Sequence, residues 1–558
     1  MADEVKHVES MDDIQTLGRY SAYVCLLAEI MFLSQLGNVN YMVYAGLAPP
    51  ATFCERSNST EANSNRLSCD VLNGTLQNSL CANSLHPQFY SANIEFGYLC
   101  DETKYIKRSI SYQMIGLIFG SVLFGQLSDS YGRKWPMIVC LIGCVVTDFI
   151  SSFATGLVTL TIYRAAALLF TGGQTAIWLV FMVENIPKKD RLWINMVVSW
   201  SPNIALFALI AYFCGDWKTL ARVTGALTVP AIILALFICE SPRWLIQKGK
   251  TEEAYKLVKK MIAFNGGPKI ADDVIANVIA KENAAAAISA GNENFYMYHL
   301  FCTAQLTLYT FVYSFSYIST SIINYGVFFN MAKLPGSIYT NNIFIGLSRL
   351  ASFFLGETFA WEEAYSYSCV YFNTFRWVVN AAVGVFDYKV KCFGRKALHA
   401  ISLGIILIAV MIVFSLIQLD ISEEYAIILR FCVLLIPIIA SNVYIGNNVS
   451  SNELFPTPIR NAAFAFLQVV NRLGVAIAPQ LFILGEYWTA APYAAMLLLA
   501  GTDLTFSHVF IPETKGRPLK DSMPSVEERF FSSKAKETNS KQMNCSNGDE
   551  KYAVESCV

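Results

Sequence analysis

Between residues 20 and 511 the chain is cut into about twelve apolar runs, each of about twenty residues, separated by short polar turns. No other feature constrains the fold as much. A bilayer offers the backbone no water to hydrogen-bond, so such a run must satisfy its own amides and carbonyls as a helix. The composition agrees: 54% of the 558 residues are hydrophobic, only 15% are charged, and mean hydropathy is +0.42. These values set the chain apart from ordinary soluble proteins. The fold class expected is an all-α membrane protein with twelve transmembrane helices.

Six spans are placed near residues 20–49, 109–129, 135–154, 158–184, 195–215 and 220–240. Six more fall near 299–330, 339–350 continued by 377–387, 398–418, 425–447, 462–485 and 490–511. The polar residues 1–19 carry no cleavage site after an apolar core, so the first span is expected to act as the signal anchor. The bases of the short turns, among them Arg133, Lys134, Arg243, Arg395, Lys396 and Arg460, follow even-numbered spans. Positive charge stays in the cytosol, which places both termini there. The organisation expected is a tail at 1–19, a six-helix half at 20–245, a connecting segment at 246–298, a second half at 299–511, and a polar, disordered tail at 512–558.

The first outer loop, residues 50–107, holds Cys54, Cys69, Cys81 and Cys100 and two glycosylation sequons, at Asn58 and Asn73. Both features suit an oxidising, glycosylating lumen. Four cysteines allow three pairings, and the sequence does not separate them. In the connecting segment, Thr251 with Glu252 and Glu253 opens a run in which Ala254, Leu257, Val258, Met261 and Ile262 recur at helical spacing. This predicts an amphipathic helix against the bundle underside or membrane face, or else a solvated linker. The GKT at 249–251 is no phosphate loop, because Trp244 stands where its first glycine would be.

The halves repeat one another. Gly132-Arg133-Lys134 returns as Gly394-Arg395-Lys396 after 262 residues, Arg164 as Arg430 after 266, Glu184 as Glu453 after 269, and Glu240 as Glu513 after 273. An ordered series of charged landmarks argues for two pseudo-symmetric halves with a substrate site between them, as in many secondary transporters. In the first turn, GQLSDSYGRK, Gly125 is expected to allow close helix approach and Gly132 to take a backbone conformation that a Cβ would penalise.

GQLSDSYGRK resembles the G-x-x-x-D-x-x-G-R-K turn of the major facilitator superfamily. ESPRWLIQKGKTEEA, NELFPTPIRNAAFAFLQVVNRLGVAIAPQL and PETKGRPL resemble the organic ion transporter branch: organic cation, organic anion and carnitine transporters. Ser130 stands where that branch usually has Arg, and Gly394 follows Asp387 by seven residues where Gly132 follows Asp129 by three. The resemblance implies that Asp129 meets a helix N-terminus in the other half, while Arg133, beside Lys134, pairs with Glu184 and Glu240. It also implies that Arg243 joins this cluster and that Arg395, Glu453, Arg460 and Glu513 form its mirror. Such contacts would close the cytosolic side and break as it opens.

Charges inside the bilayer are few: Glu29, Asp148, Arg164, Arg430, Arg472 and Asp503. Each costs ~2.5–3.5 kcal/mol even on the mild insertion scale. Arg164 and Arg430, at matched points of the repeat, are read as structural. Arg472 is followed by small and apolar residues and is read as facing a cavity. The organic cation branch typically has Asp at the matching position, and the organic anion and carnitine branches have Arg, so the resemblance implies an anionic or zwitterionic substrate. Phe315, Tyr317 and Ser314 in SFSYIS, with Asn40, Tyr44, Trp178 and Tyr444, complete the candidate lining. Aromatic faces accept many flat ions.

Residues 351–376 place Glu357, Glu362, Glu363 and Arg376 where span eight should run, and are read as an insertion from a variant transcript or an erroneous gene model, or else as a genuine extra loop that disrupts the span. The function expected is transport of small organic ions across the plasma membrane by alternating access, secondary active or facilitative, with a counter-substrate or coupling ion left open. Alternatives are an organic cation carrier, a sugar-porter-like carrier, and a non-transporting receptor or scaffold. No catalytic constellation, cofactor motif, metal spacing or nucleic-acid patch is present, so neither an enzyme nor a nucleic-acid partner is expected, and oligomeric state is unread.

Overall fold

The computed structural model describes residues 11–15, 18–47, 88–98, 102–186, 200–265, 271–291, 297–331, 334, 336–358, 394–514, 523 and 529–530. The four loop cysteines, both loop sequons and residues 359–393 lie outside them. The bundle helices of the first half are α1 (Arg19–Ala45), α2 (Thr103–Tyr131), α3 (Lys134–Ser151), α4 (Leu157–Asn185), α5 (Trp200–Cys214) and α6 (Trp217–Phe237). Those of the second half are α7 (Ala304–Phe329), α8 (Ile338–Thr358), α9 (Arg395–Gln418), α10 (Ala426–Leu454), α11 (Thr457–Leu481) and α12 (Ala491–Phe510). Ten are long and apolar enough to cross a membrane; α5 and α8 bring the described set to twelve. Phe213, Val158 and Ile427 point outward on these helices, an arrangement that suits lipid rather than water.

Tight helix packing in the first half is made by small residues. A Cβ at Gly116 would collide with the Ala165 carbonyl, one at Gly120 with the Leu169 carbonyl, and one at Gly172 with the Leu117 carbonyl. The Gly116-x-x-x-Gly120 face therefore lets α2 and α4 touch backbone to backbone. This corrects the expectation for Gly125: a Cβ there would come only within 4.0 Å of Ala176, an ordinary contact. The close approach is made one and two turns earlier, where the helices are nearer.

Helix α8 also departs from expectation. It does not stop at residue 350 but runs to Thr358, because ASFFLGET is apolar enough to continue it, and its 21 residues are a full membrane length. The connecting segment forms helices Pro242–Gln247, Thr251–Asn265 and Asp272–Gly291. Ala254 and Val258 of the second pack with Trp244, Leu245, Ile275, Val278 and Ile279, and with Met11 and Ile14 from the N-terminal tail. The predicted amphipathic helix thus builds a small separate core beneath the first half, which removes the solvated-linker reading.

Candidate functional site

One end of the bundle carries the short basic turns, and the two halves build it alike. At Gly132 the backbone takes φ 99°, which admits glycine without penalty. The turn then presents the first amides of α3 to Glu240, whose carboxylate accepts from the Arg133 amide at 2.8 Å and the Lys134 amide at 3.2 Å. In the second half Glu513 accepts from the Arg395 amide at 2.9 Å and the Lys396 amide at 3.2 Å. Each carboxylate satisfies helix-start donors that have no partner in their own helix. The guanidiniums follow the same plan: Arg133 reaches Glu184 at 3.1 Å, and Arg395 reaches Glu453 at 3.5 Å.

Arg133 is the more enclosed of the two, 5% exposed, and also holds Asp129 at 2.6 Å. The bond found for Asp129 is thus within its own turn; its carboxylate is 75% exposed rather than docked on the other half. Lys134 Nζ donates to the Leu236 carbonyl, and Arg460 to the Phe455 carbonyl. Arg243 is half-buried at the start of helix Pro242–Gln247.

The opposite end, which bears the first long loop, is where the halves lock together. Tyr44 of α1 stacks on Tyr339 of α8 with ring centres 5.9 Å apart, and its hydroxyl accepts from Asn342. Lys107 of α2 donates to the Phe482 carbonyl past α11, and Gln480 donates to Ser111. A Cβ at Gly346 would press on the α5 backbone at Ala205. Closure here, with Asp129 in solvent at the other end, describes a molecule sealed on the loop side.

Between these ends, the first half pairs its most deeply buried acid with a base. Arg164 of α4, fully buried, meets Asp148 of α3 at 2.6 Å, donates to the Asn38 carbonyl, and lies 4.1 Å over the Tyr41 ring. Its repeat counterpart Arg430 is half-buried and donates instead to the neutral Asn341 and Thr340.

The second half leaves cations uncompensated. Arg472 of α11 has no carboxylate partner among the described residues. Arg349 of α8 donates to Asn324 at 2.7 Å and to the Pro437 carbonyl at 3.0 Å, and lies 5.3 Å from the Phe328 ring. All of these partners are neutral. The Tyr325 phenol on α7 lies near both guanidiniums, and Tyr444 on α10 lies near Arg349. Tyr444 bonds Ser321 at 2.8 Å, and Ser321 also bonds Asn471, the residue beside Arg472. Positions 317, 321, 324, 325 and 328 recur at helical spacing, so one face of α7 serves the whole group.

Of the other expected lining residues, Tyr317 is on that face and donates to Asn448. Phe315 and Ser314 are not brought into the group: Phe315 packs on Phe506 of α12, and Ser314 bonds back to Thr310 in its own helix. Two residues further along α7 turns the side chain by about 200°, which carries Phe315 to the far side from Tyr317. Trp178 is buried beside Phe181 in the first half, its indole nitrogen without a hydrogen-bond partner among the described residues, and Asn40 is buried on α1. Sequence reasoning missed Arg349, although it stands inside an apolar run, and that isolation was the available signal.

The profile of the sugar (and other) transporter family matches residues 22–362 and 350–524. Among curated proteins, the chain is 26% identical to solute carrier family 22 member 6-A of Xenopus laevis over 78% of this chain and 72% of the relative. It is 25% identical to the organic cation transporter protein of Drosophila melanogaster over 78% and 74%. It is 23% identical to solute carrier family 22 member 7 of Rattus norvegicus, again over 78% and 74%. Among solved structures, the xylose transporter XylE of E. coli, in a partially occluded inward-open conformation, shares the fold with a TM-score of 0.59. That match has 15% identity and covers 90% of this chain and all of XylE. With its twelve helices, paired carboxylate caps and two repeated halves, the chain belongs to the sugar (and other) transporter family and, within the major facilitator superfamily, to the organic ion transporter branch.

Proposed function

We propose that this transporter carries small organic ions bearing a carboxylate, by alternating access across the plasma membrane with both termini in the cytosol. The observation that carries this reading is the pair Arg349 and Arg472, two cations at membrane depth whose described partners are all neutral. Such charges are expensive in a bilayer unless something answers them, and a substrate carboxylate at Tyr325 would answer both. Tyr317, Tyr444, Tyr325 and Phe328 would face the cargo from the second half, with Tyr44, Asn40 and Trp178 contributing from the first. The two carboxylate-capped turns act as the cytosolic gate. Their halves separate as the Tyr44–Tyr339 contact forms, and Asp129 docks on the other half only when that contact breaks.

A second reading, an organic cation carrier, is favoured by the name of the Drosophila relative. Glu29 adds to it: this partly buried acid on α1 takes a hydrogen bond from Asn203 at 2.8 Å. Residues 351–376 remain proposed as an insertion; the two family-profile matches meet at 350–362, which supports a break there.

The test is uptake of labelled benzoate and labelled tetraethylammonium into cells with the chain verified at the surface. Saturable benzoate uptake that Arg472→Asp lowers at least about tenfold is the expected result, since one charge-assisted hydrogen bond is worth about 1.5–3 kcal/mol. Tetraethylammonium uptake indifferent to Arg472→Asp sinks the anion reading in favour of the cation one. Uptake of neither, with deletion of 351–376 unable to restore it, favours a non-transporting receptor.

A further inference from the structure

The second half holds a buried acid that the transport reading does not use. Asp503 of α12 is 0% exposed. Its carboxylate accepts from Ser316 of α7 at 3.0 Å and from Ser507 at 3.1 Å, and Nε2 of His399 on α9 stands 3.9 Å away. Ser316 lies between them: its hydroxyl also meets His399 Nε2 at 3.2 Å and accepts from Asn447 of α10 at 2.8 Å. A hydroxyl has one hydrogen to give and two lone pairs. With the hydrogen on Asp503 and one lone pair taken by Asn447, the other can only receive a hydrogen from His399 Nε2. The four helices thus meet on one fully used hydroxyl, aligned between an imidazole and a carboxylate.

We propose that His399, Ser316 and Asp503 form a proton-binding relay inside the second half. A small cavity of about 20 Å³ lies beside it, with Arg395, Lys396 and His508 at its walls and His399, Asn447 and Ser450 among its lining. In the topology proposed above this cavity opens to the cytosol. His399 takes a proton from the cavity and passes its Nε2 hydrogen to the Ser316 oxygen as Ser316 hands its own to Asp503. One proton enters, and the group goes from a net charge of −1 to neutral; release reverses both transfers. A buried lone carboxylate is costly, so uptake is favoured. The first half answers its own buried acid with Arg164, a permanent cation. Histidine is the partner whose charge comes and goes near neutral pH.

The charged and titratable groups facing the relay are Tyr313 of α7, Arg395 and Lys396 of α9, and His508 of α12; α10 presents the neutral Asn447 and Ser450. Occupancy reaches the transport path through sequence neighbours. Ser316 adjoins Tyr317 and Asn447 adjoins Asn448, and Tyr317 donates to Asn448, which also accepts from Gln468 of α11. The proton site does not depend on the charge of the cargo.

The test is a pH titration, from about pH 9 to about pH 5, of purified full-length protein in liposomes. Difference infrared spectroscopy would follow the protonated-carboxyl band. The expected result is a titrating band that Asp503→Asn removes, with about one proton fewer taken up per chain by that variant than by the unchanged protein. His399→Gln, which keeps a donor for Ser316 but cannot pass a proton on, should leave the band in place and slow its appearance after a pH jump by at least about tenfold. A band unchanged in Asp503→Asn, or a rate unmoved in His399→Gln, overturns the proposal. If Asp503→Asn fails to fold, the His399→Gln rate decides alone.

Discussion

Arg164 and Arg430 stand at matched points of an internal repeat, yet the first is sealed against Asp148 and the second rests half-buried on an amide and a hydroxyl. The same contrast runs through the rest of each half. In the first, the buried acid Asp148 is answered by a fixed cation; in the second, the buried acid Asp503 faces a histidine, and two arginines have no acid of their own among the described residues. Two halves can therefore share a backbone plan and a carboxylate-capped turn while differing in electrostatics. In the first, the most deeply buried charges, Asp148 and Arg164, neutralise each other, and Glu29 rests on the neutral Asn203. The second holds Arg349 and Arg472, whose partners among the described residues are neutral, and an acid faced by a histidine.

The contrast predicts a graded set of failures. Arg164→Met should be the most severe, because it strands Asp148 uncompensated at about 3–5 kcal/mol. Little protein should reach the surface, and the purified remainder should melt early. Arg430→Met, losing two hydrogen bonds to neutral groups, should cost about 1–2 kcal/mol and leave surface expression intact. Equal losses would mean that the halves are electrostatically alike after all. Glu240→Gln and Glu513→Gln come next: each weakens a helix-start cap worth about 1 kcal/mol. Glu240→Gln should cost more, since Arg133 is the more enclosed arginine, and thermal unfolding of the two variants side by side checks the order. Smallest of all, Lys134→Gln should lose the bond to the Leu236 carbonyl, about 0.5 kcal/mol, with Lys396→Gln smaller still, read from the same unfolding curves.

Much of this architecture is legible in the order of the amino acids. Apolar run length marks the helices, and four repeated charged landmarks mark the halves; Glu240 and Glu513 do meet the turns with which the repeat aligns them. What the sequence hides is facing. Asp148 and Arg164 are sixteen residues apart on different helices, and no periodicity says that they touch. Gly125 looks like the close-contact glycine because it opens a familiar turn, whereas crowding depends on where two helix axes converge, at Gly116 and Gly120. Phe315 and Tyr317 share one short motif but point to opposite sides of α7. His399 escapes notice because it stands one turn from Arg395 and Lys396, where a charge reads as topology rather than chemistry, whereas Arg349 stands alone in the middle of α8 and was there to be read.

The carboxylate caps bear on how the protein is made. The amides at the start of α3 receive their partner from Glu240, 107 residues downstream of Arg133, and those at the start of α9 wait for Glu513, 118 residues beyond Arg395. During synthesis each third helix of its half therefore begins with open donors until the ribosome has delivered the sixth. A nascent chain that ends before either glutamate therefore lacks the carboxylate that satisfies those amides in the finished half.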